Sequence, residues 1–201
     1  MTDAITIRRA RRDDARAVAE LFSIASDGVA EYLWSTFQAD HPGLSLIEIG
    51  ARRYARENTP FSYQHCRVAE AGGRVVGMVH GFVMPPADPD AETGNVDPVL
   101  APYAALEVPG SFYISAIALL PGFRGQGIGA RFLEMARDAA RAQGCPQLSL
   151  GVFDANDGAR RLYARHGFRE IARATVVPHA LIHVTGEVIL MVADVEQGAG
   201  V

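Results

Sequence analysis

Arg124, Gly125, Gln126, Gly127, Ile128, Gly129 and Ala130 are the residues of this 201-residue chain whose types and spacing point most directly to chemistry. Glycine lacks Cβ, so Gly125, Gly127 and Gly129 let a ligand approach the backbone. A helix beginning here would aim its first N–H groups and the positive end of its dipole at an anion. A diphosphate suits such a turn. Each negative charge at a helix N-terminus gains roughly 0.3–1 kcal/mol, and Arg124 adds a charge-assisted hydrogen bond. The same residues also satisfy a permissive dinucleotide fingerprint, Gly125-x-Gly127-x-x-Ala130, which would make the chain an NAD(P)-dependent oxidoreductase. That alternative expects the turn in the first of several strand–helix–strand units, with an acidic residue about twenty positions on. Here the turn begins past residue 120 and the later stretch reads GCPQLSL, with Asp154 the next carboxylate at a strand end.

Other chemistries lack the residues they need. All nineteen basic side chains are Arg, so no lysine amine exists for a Schiff base, pyridoxal phosphate or a Walker A loop. Cys66 and Cys145 are far apart, form no CxxC pair and cannot alone build a zinc site; buried thiols in a reducing cytosol are expected. His179 and His183, four apart in a strand-like segment, would share one face, but no carboxylate or Cys follows at ligand spacing, so no metal is expected. The net charge of −4 offers no cationic field for nucleic acid or an anionic membrane. Arg8, Arg9, Arg11, Arg12 and Arg16 are interrupted by Asp13 and Asp14 and read as a solvated face. The first residues hold no apolar run of the roughly 7–15 residues a signal peptide needs, and the expected location is cytoplasmic.

These residues need elements to hold them. Ile5 and Ile7 alternate with polar neighbours, and Asp13-Asp14 precede Ala15, Val18, Leu21, Phe22 and Ala25 at helical spacing: a strand, then a helix. Residues 29–57 read as two short helices broken at Pro42. CRVAE and RVVGMVHGFVM around Ala71-Gly72-Gly73 read as an antiparallel hairpin. Residues 84–110 hold six of the eleven prolines and five acidic residues without an Arg, which predicts a long loop, with room for a short helix over 97–106. A strand over 111–119 then leads through the glycine turn into a helix to about Gln143, with Ile128, Phe132 or Leu133, Ala136 and Ala140 facing inward. A strand over 147–153, a helix to about His166 and strands near 168–177 and 187–194 complete one domain over 1–201. The late strand VTGEVILMV either pairs across the two-fold axis of a homodimer or pairs within the chain.

Arg124-x-x-Gly127-x-Gly129 after an apolar strand, followed by Asn156-x-x-Ala159-x-x-Leu162-Tyr163-x-x-x-Gly167-Phe168, resembles the GNAT superfamily of N-acetyltransferases. The paired motifs cover residues 111–170, and the N-terminal strand, helix and hairpin follow the same order. The resemblance implies an α/β (α+β) fold: a mixed, mostly antiparallel sheet of about seven strands flanked by helices, with splayed parallel strands (111–119 and 147–153) forming an acyl-CoA cleft. It implies acetyl-CoA as acyl donor, with no metal. The pantetheine would lie along Ile117, Ala118 and Leu119, the diphosphate on Arg124, Gly125, Gln126, Gly127, Ile128, Gly129 and Ala130, with Asn156 and Ala159 beside the cofactor. An amine of a small molecule or peptide would attack directly in a ternary complex. Tyr163 would be the catalytic acid for the leaving thiolate: a phenol of pKa about 10 is protonated at neutrality. Leu162 would face the core, Tyr163 the cleft, and Gly167 would cap the helix before Phe168. Asn156 also fits an N-cap, and Gly151 fits either a close cofactor approach or packing.

One departure bears on the chemistry. Many relatives place a glutamate on the strand before the turn to relay the amine proton, whereas Phe112 to Ala118 carry no carboxylate. Glu107, His80, Tyr113 and Ser115 are the possible substitutes, an acceptor of lower pKa would need only water, and a non-catalytic acyl-CoA-binding sensor is the alternative. Asp88, Asp90, Glu92 and Asp97 in the long loop favour a cationic acceptor, such as a polyamine, an aminoglycoside or a basic peptide end.

Overall fold

The computed structural model describes residues 4–86 and 97–196. Its strands are β1 (Thr6–Arg9), β2 (Cys66–Ala71), β3 (Arg74–Val83), β4 (Phe112–Leu119), β5 (Gln147–Phe153), β6 (Arg169–Thr175) and β7 (Glu187–Asp194). They form one sheet in the order β1-β2-β3-β4-β5-β7-β6. β1 with β2, β2 with β3, β5 with β7 and β6 with β7 are antiparallel, while β4 and β5 run parallel through Phe112–Ile114 and Leu148–Leu150. The helices are α1 (Ala15–Ser26), α2 (Val29–Ser35), α3 (Leu46–Tyr54), α4 (Ala101–Ala104), α5 (Ile128–Ala142) and α6 (Asp157–Arg165). The mixed, mostly antiparallel seven-stranded sheet flanked by helices is as the resemblance implied.

The chain divides into two compact units, one formed by residues up to Gly81 with Ala116–Phe132 and Ala180–His183, the other by Phe82–Ser115, Leu133–His179 and the residues from Val184 onward. In the first, the apolar faces of α1, α2 and α3 bury Val18, Leu21, Trp34, Ile49 and Tyr54 together with Val68 and Met78 of the hairpin and Ala116 and Ala118 of β4. Ser45 and Glu48 close a capping box at the start of α3. Gly50 on α3 allows the indole of Trp34 to lie against the helix: a Cβ there would fall 2.7 Å from Trp34 Cζ2. Gly72 and Gly73, both at positive φ, make the tight turn of the hairpin. The α1–α2 turn needs another: Gly28 has φ +97°, and a Cβ on it would sit 1.8 Å from the Leu181 carbonyl oxygen, while His183 N–H donates to Asp27 O at 2.9 Å.

Two expectations change here. Arg8 does not share the solvated face of its neighbours. It donates to Asp14 at 2.7 Å and Glu70 at 2.6 Å, and holds the Asp14 carboxyl below its usual range. That ties β1, β2 and the start of α1 together, a contact invisible in sequence because Glu70 is sixty-two positions away. His179 and His183 lie in the non-strand connection between β6 and β7 rather than on one strand face, so their alternation carries no meaning.

In the second unit, Leu148, Leu150 and Val152 of β5 and Val188–Val192 of β7 are buried. β7 is hydrogen-bonded on both sides, to β5 and to β6, so the late strand pairs within the chain. α5 buries both Phe132 and Leu133, with Ile128, Ala136 and Ala140. It ends at Gly144 (φ 69°), where Cys145 N–H reaches the Ala140 carbonyl at 3.0 Å. Arg137 on α5 donates to three backbone carbonyls, those of His166 (2.8 Å), Val195 (3.3 Å) and Asp194. The short helix expected over 97–106 is α4, and Asp97 caps its approach by accepting from Val99 N–H at 2.8 Å. Asp88, Asp90 and Glu92 lie outside the described residues.

Candidate functional site

In the first unit, β4 delivers the chain to the glycine turn. Leu120 N–H is anchored on the Val76 carbonyl at 2.9 Å, and Pro121–Phe123 form one 3-10 turn. Gly125 and Gly127 then adopt φ of 74° and 76°, left-handed values that strain any L side chain, and no atom lies within 4 Å of where a Cβ would stand. Arg124 N–H bonds to Pro121 O and Arg131 N–H to Gly127 O. Between them the N–H groups of Gly125, Gln126, Gly127, Ile128, Gly129 and Ala130 have no acceptor among the described residues. Arg124, Gly125, Gln126 and Gly127 are exposed, and Ile128 turns inward at 2 % exposure to fix the first turn of α5. A run of unpaired amides at the start of a fifteen-residue helix presents donors of the kind that suit an anion. Gln126 braces the turn by donating to Gly122 O at 3.0 Å.

Arg124 departs from its expected pose. Its Nε donates to the Leu119 carbonyl at 3.0 Å, so the side chain folds back on the end of β4. Ile117 and Leu119 are partly exposed on one face of β4, and Ala118 points into the core. Gly77 on β3 lets the strand approach, since a Cβ there would stand 2.3 Å from Leu119 Cδ2.

In the second unit, Asn156 is exposed and caps α6: its side chain accepts from Ala159 N–H at 3.1 Å, leaving its amide NH₂ directed away from that bond. Ala159 is half-buried. α6 closes as expected at Gly167 (φ 82°), where Gly167 N–H bonds Ala164 O and Phe168 N–H bonds Tyr163 O, both at 3.1 Å. The helix is turned differently from the expectation: Tyr163, not Leu162, is its buried residue, at 8 % exposure. Its ring packs on Phe168 with centroids 5.8 Å apart, because the chain reverses at Gly167 and brings Phe168 back under it. Burial pushes the phenol pKa up to about 12, so it keeps its proton at neutral pH. Gly151 on β5 is exposed, and a Cβ would make only an ordinary 3.4 Å contact with Val188.

The possible bases separate sharply. His80 is fully buried among Phe22, Tyr54 and Phe61 in the first unit, with its Nε2 3.1 Å from the Pro60 carbonyl; burial lowers its pKa to about 3. Tyr113 on β4 stacks edge-on against Phe82 at 5.8 Å, and burial with nearby Glu107 pushes its phenol up to about 12. Ser115 is partly buried on the same strand. Glu107 alone among the four is an exposed carboxyl group, and the burial it does have raises it above the usual range. Two features escaped the sequence. Tyr103 on α4 has a buried hydroxyl with no hydrogen-bond partner, and Ser111 Oγ bonds Ser149 Oγ at 2.6 Å across β4 and β5. A four-residue helix has no periodicity to announce which residue faces inward. Among the described residues no group of three His, Cys, Asp or Glu side chains is placed to hold a metal ion.

The Acetyltransferase (GNAT) family model matches residues 26–168. The chain is 36% identical over 64 residues to a thialysine N-epsilon-acetyltransferase of Bos taurus, a match covering 32% of this chain and 38% of that protein. It therefore spans little more than a third of the length of the curated relatives it matches. A solved structure described as an acetyltransferase superposes with a TM-score of 0.64 at 25% identity, over 95% of this chain and all of that one. The NatC complex bound to Gag peptide and CoA superposes with a TM-score of 0.59 at 15% identity, over 94% and 98% of the two chains. Because the matched span takes in the open amide turn at the head of α5 as well as the capped helix α6, the chain belongs to the acetyltransferase (GNAT) family.

Proposed function

We propose that this protein transfers an acetyl group from acetyl-CoA to an amine of a small molecule or peptide, by direct attack in a ternary complex. The observation that carries the reading is the run of unpaired N–H groups from Gly125 to Ala130 at the head of α5, which suits the diphosphate of CoA. Ile117 to Leu119 would pair with the pantetheine, and Arg124 would release the Leu119 carbonyl as it turns to the phosphates. Asn156 can donate through its amide while its oxygen caps α6, and Ala159 follows on the same turn. Tyr163 holds a proton for the departing thiolate; its burial supports that role by keeping the phenol neutral. Buried free thiols at Cys66 and Cys145 are compatible with a cytoplasmic location.

For the acceptor, the acidic segment supports a cationic amine. Asp97 is already committed to capping α4, so the acceptor's charge would be met by Asp88, Asp90 and Glu92. Neutralising these three is expected to raise the acceptor KM and flatten its salt dependence; unchanged KM at both low and high salt would refute the cationic class.

Calorimetric titration with acetyl-CoA, with NADH as control, tests the donor. Binding that is lost in Gly127→Glu and weakened in Arg124→Gln, together with thiol release on adding amines, is the expected result. Binding of NADH without acetyl-CoA would overturn the reading in favour of hydride transfer, and acetyl-CoA binding without thiol release from any amine would make the protein a sensor.

A further inference from the structure

β1 is an end strand of the sheet, and the arginines along it and its neighbour are not equally provided for. Arg8 meets Asp14 and Glu70. Arg9 and Arg67 stand opposite one another in the β1–β2 register, and among the described residues neither makes an ion pair. Ala10 N–H bonds the Cys66 carbonyl at 3.1 Å, which makes that a hydrogen-bonded pair. Arg9 and Arg67, next along, are then the non-hydrogen-bonded kind, whose side chains lie closest. Like charges placed directly opposite destabilise a sheet. Arg9 is exposed and Arg67 half-buried, and burial with Arg9 beside it lowers the pKa of Arg67. Two guanidiniums on one sheet face offer charge-assisted hydrogen bonds that no side chain among the described residues takes up.

The backbone of β1 supplies the other half of a site. Alternation turns the N–H and C=O groups of Thr6 and Arg8 toward β2, as for Ala10. Those of Ile7 and Arg9 face the outer edge, where β1 has no strand neighbour. The Arg9 carbonyl accepts one bond from Arg8 Nη1 at 3.2 Å and keeps a second lone pair. We infer that this edge binds an extended acidic segment of a partner protein, which adds to β1 as a further strand and sets a carboxylate against Arg9 and Arg67. Register dictates the segment's pattern. In an antiparallel addition, an acidic residue opposite Arg9 lies on the face that carries Arg9 and Arg67. The residue two positions later lies opposite Ile7, where an apolar side chain fits.

Other occupants suit the edge less well. Thr6–Arg9 holds no acidic residue, so pairing β1 with β1 of a second copy would bring cation to cation. A nucleic acid or an anionic bilayer would use the arginines but not outward amides at strand spacing. Arg11 and Arg12, exposed just past the strand, extend the positive charge. Asp13 opposes them there, while Asp14 is taken by Arg8 and by the Arg11 N–H. The surface shares no residue with the amide turn, and its role does not depend on acetyl transfer.

The probe is a fluorescein-labelled six-residue peptide with glutamate two positions before valine and threonine elsewhere, titrated against the full chain by anisotropy at low and high salt. Saturable binding that weakens with salt is expected. Glutamine in place of the glutamate, Arg9→Glu and Arg67→Gln should each weaken it by about 10–100-fold, the range for losing a hydrogen bond to a charged group. N-methylation of the glutamate nitrogen should weaken it too, because strand addition donates that N–H to the Arg9 carbonyl. Arg9→Glu has a second readout: it replaces the like-charge pair with an opposite-charge one, so its urea midpoint should rise while peptide binding falls. A lower midpoint together with lost binding would mark a fold-supporting pair and overturn the docking assignment. No saturable binding, or binding indifferent to the variants or to N-methylation, would overturn it equally. Tighter binding of a DNA duplex or of phosphatidylglycerol vesicles, lost in the same variants, would replace the peptide with another class of partner. Each of these failures leaves thiol release from acetyl-CoA, and the reading built on it, untouched.

Discussion

His80 and Tyr163 are both buried titratable rings, and each makes a different demand on pH. A carbonyl can only accept, so neutral His80 donates through Nε2 to Pro60 O. In the folded chain it gains a second proton only near pH 3, whereas an unfolded imidazole does so at 6.5. Between those values the unfolded chain binds more protons. The contribution of His80 is therefore complete above pH 6.5 and is lost on acidification, at up to about 1.4 kcal/mol per pH unit. Urea unfolding between pH 4 and 7 is expected to show this slope in wild type and a shallower one in His80→Gln; parallel slopes would contradict it. Tyr163→Phe keeps the ring against Phe168 and removes only the proton, so kcat is expected to fall about 10²–10⁴-fold with little change in unfolding midpoint. The resemblance pointed to Tyr163 as the residue of interest and put Leu162 inward. A nine-residue helix constrains its own rotation poorly, and the Gly167 reversal decides it by bringing Phe168 under the tyrosine.

Elements with a strong internal period were the legible ones. The hairpin around Gly72-Gly73, the α5 stripe and β7 lie where alternation and helical spacing place them, and β7 occupies 187–194 as expected. What escaped depends on residues distant in the chain: the Arg8 network with Glu70, the loop conformation at His179 and His183, and the inward hydroxyl of Tyr103. At the candidate site the turn geometry was legible because glycine chemistry is local, while the choice among bases was not, since burial decides it. Helix packing yields a prediction of the same long-range kind. Gly50→Ala gains about 1 kcal/mol of helix propensity, but its Cβ would press on the ring of Trp34, which is 2 % exposed and has no room to move. Overpacking of this sort costs about 1–3 kcal/mol, so denaturant unfolding is expected to show a net loss. Gly158→Ala on α6, whose nearest outside atom is 3.9 Å away, is expected to be neutral or stabilising.

Across the whole molecule, nineteen arginines and no lysine mean that a protein proposed to acetylate amines has no side-chain amine of its own. Intact-mass spectrometry after prolonged incubation with acetyl-CoA is expected to show at most one amine-linked acetyl group, on the α-amine; a ladder of stable amide adducts would contradict this. The grip of Arg137 on the carbonyls of His166, Asp194 and Val195 has a practical corollary. It marks the point up to which the chain's last strand is structurally indispensable. A reporter fused after residue 196 leaves all three acceptors in place. Trimming back to residue 193 deletes those of Asp194 and Val195 and leaves Arg137 only the His166 carbonyl, so the tolerance of this protein to C-terminal engineering should change abruptly within three residues.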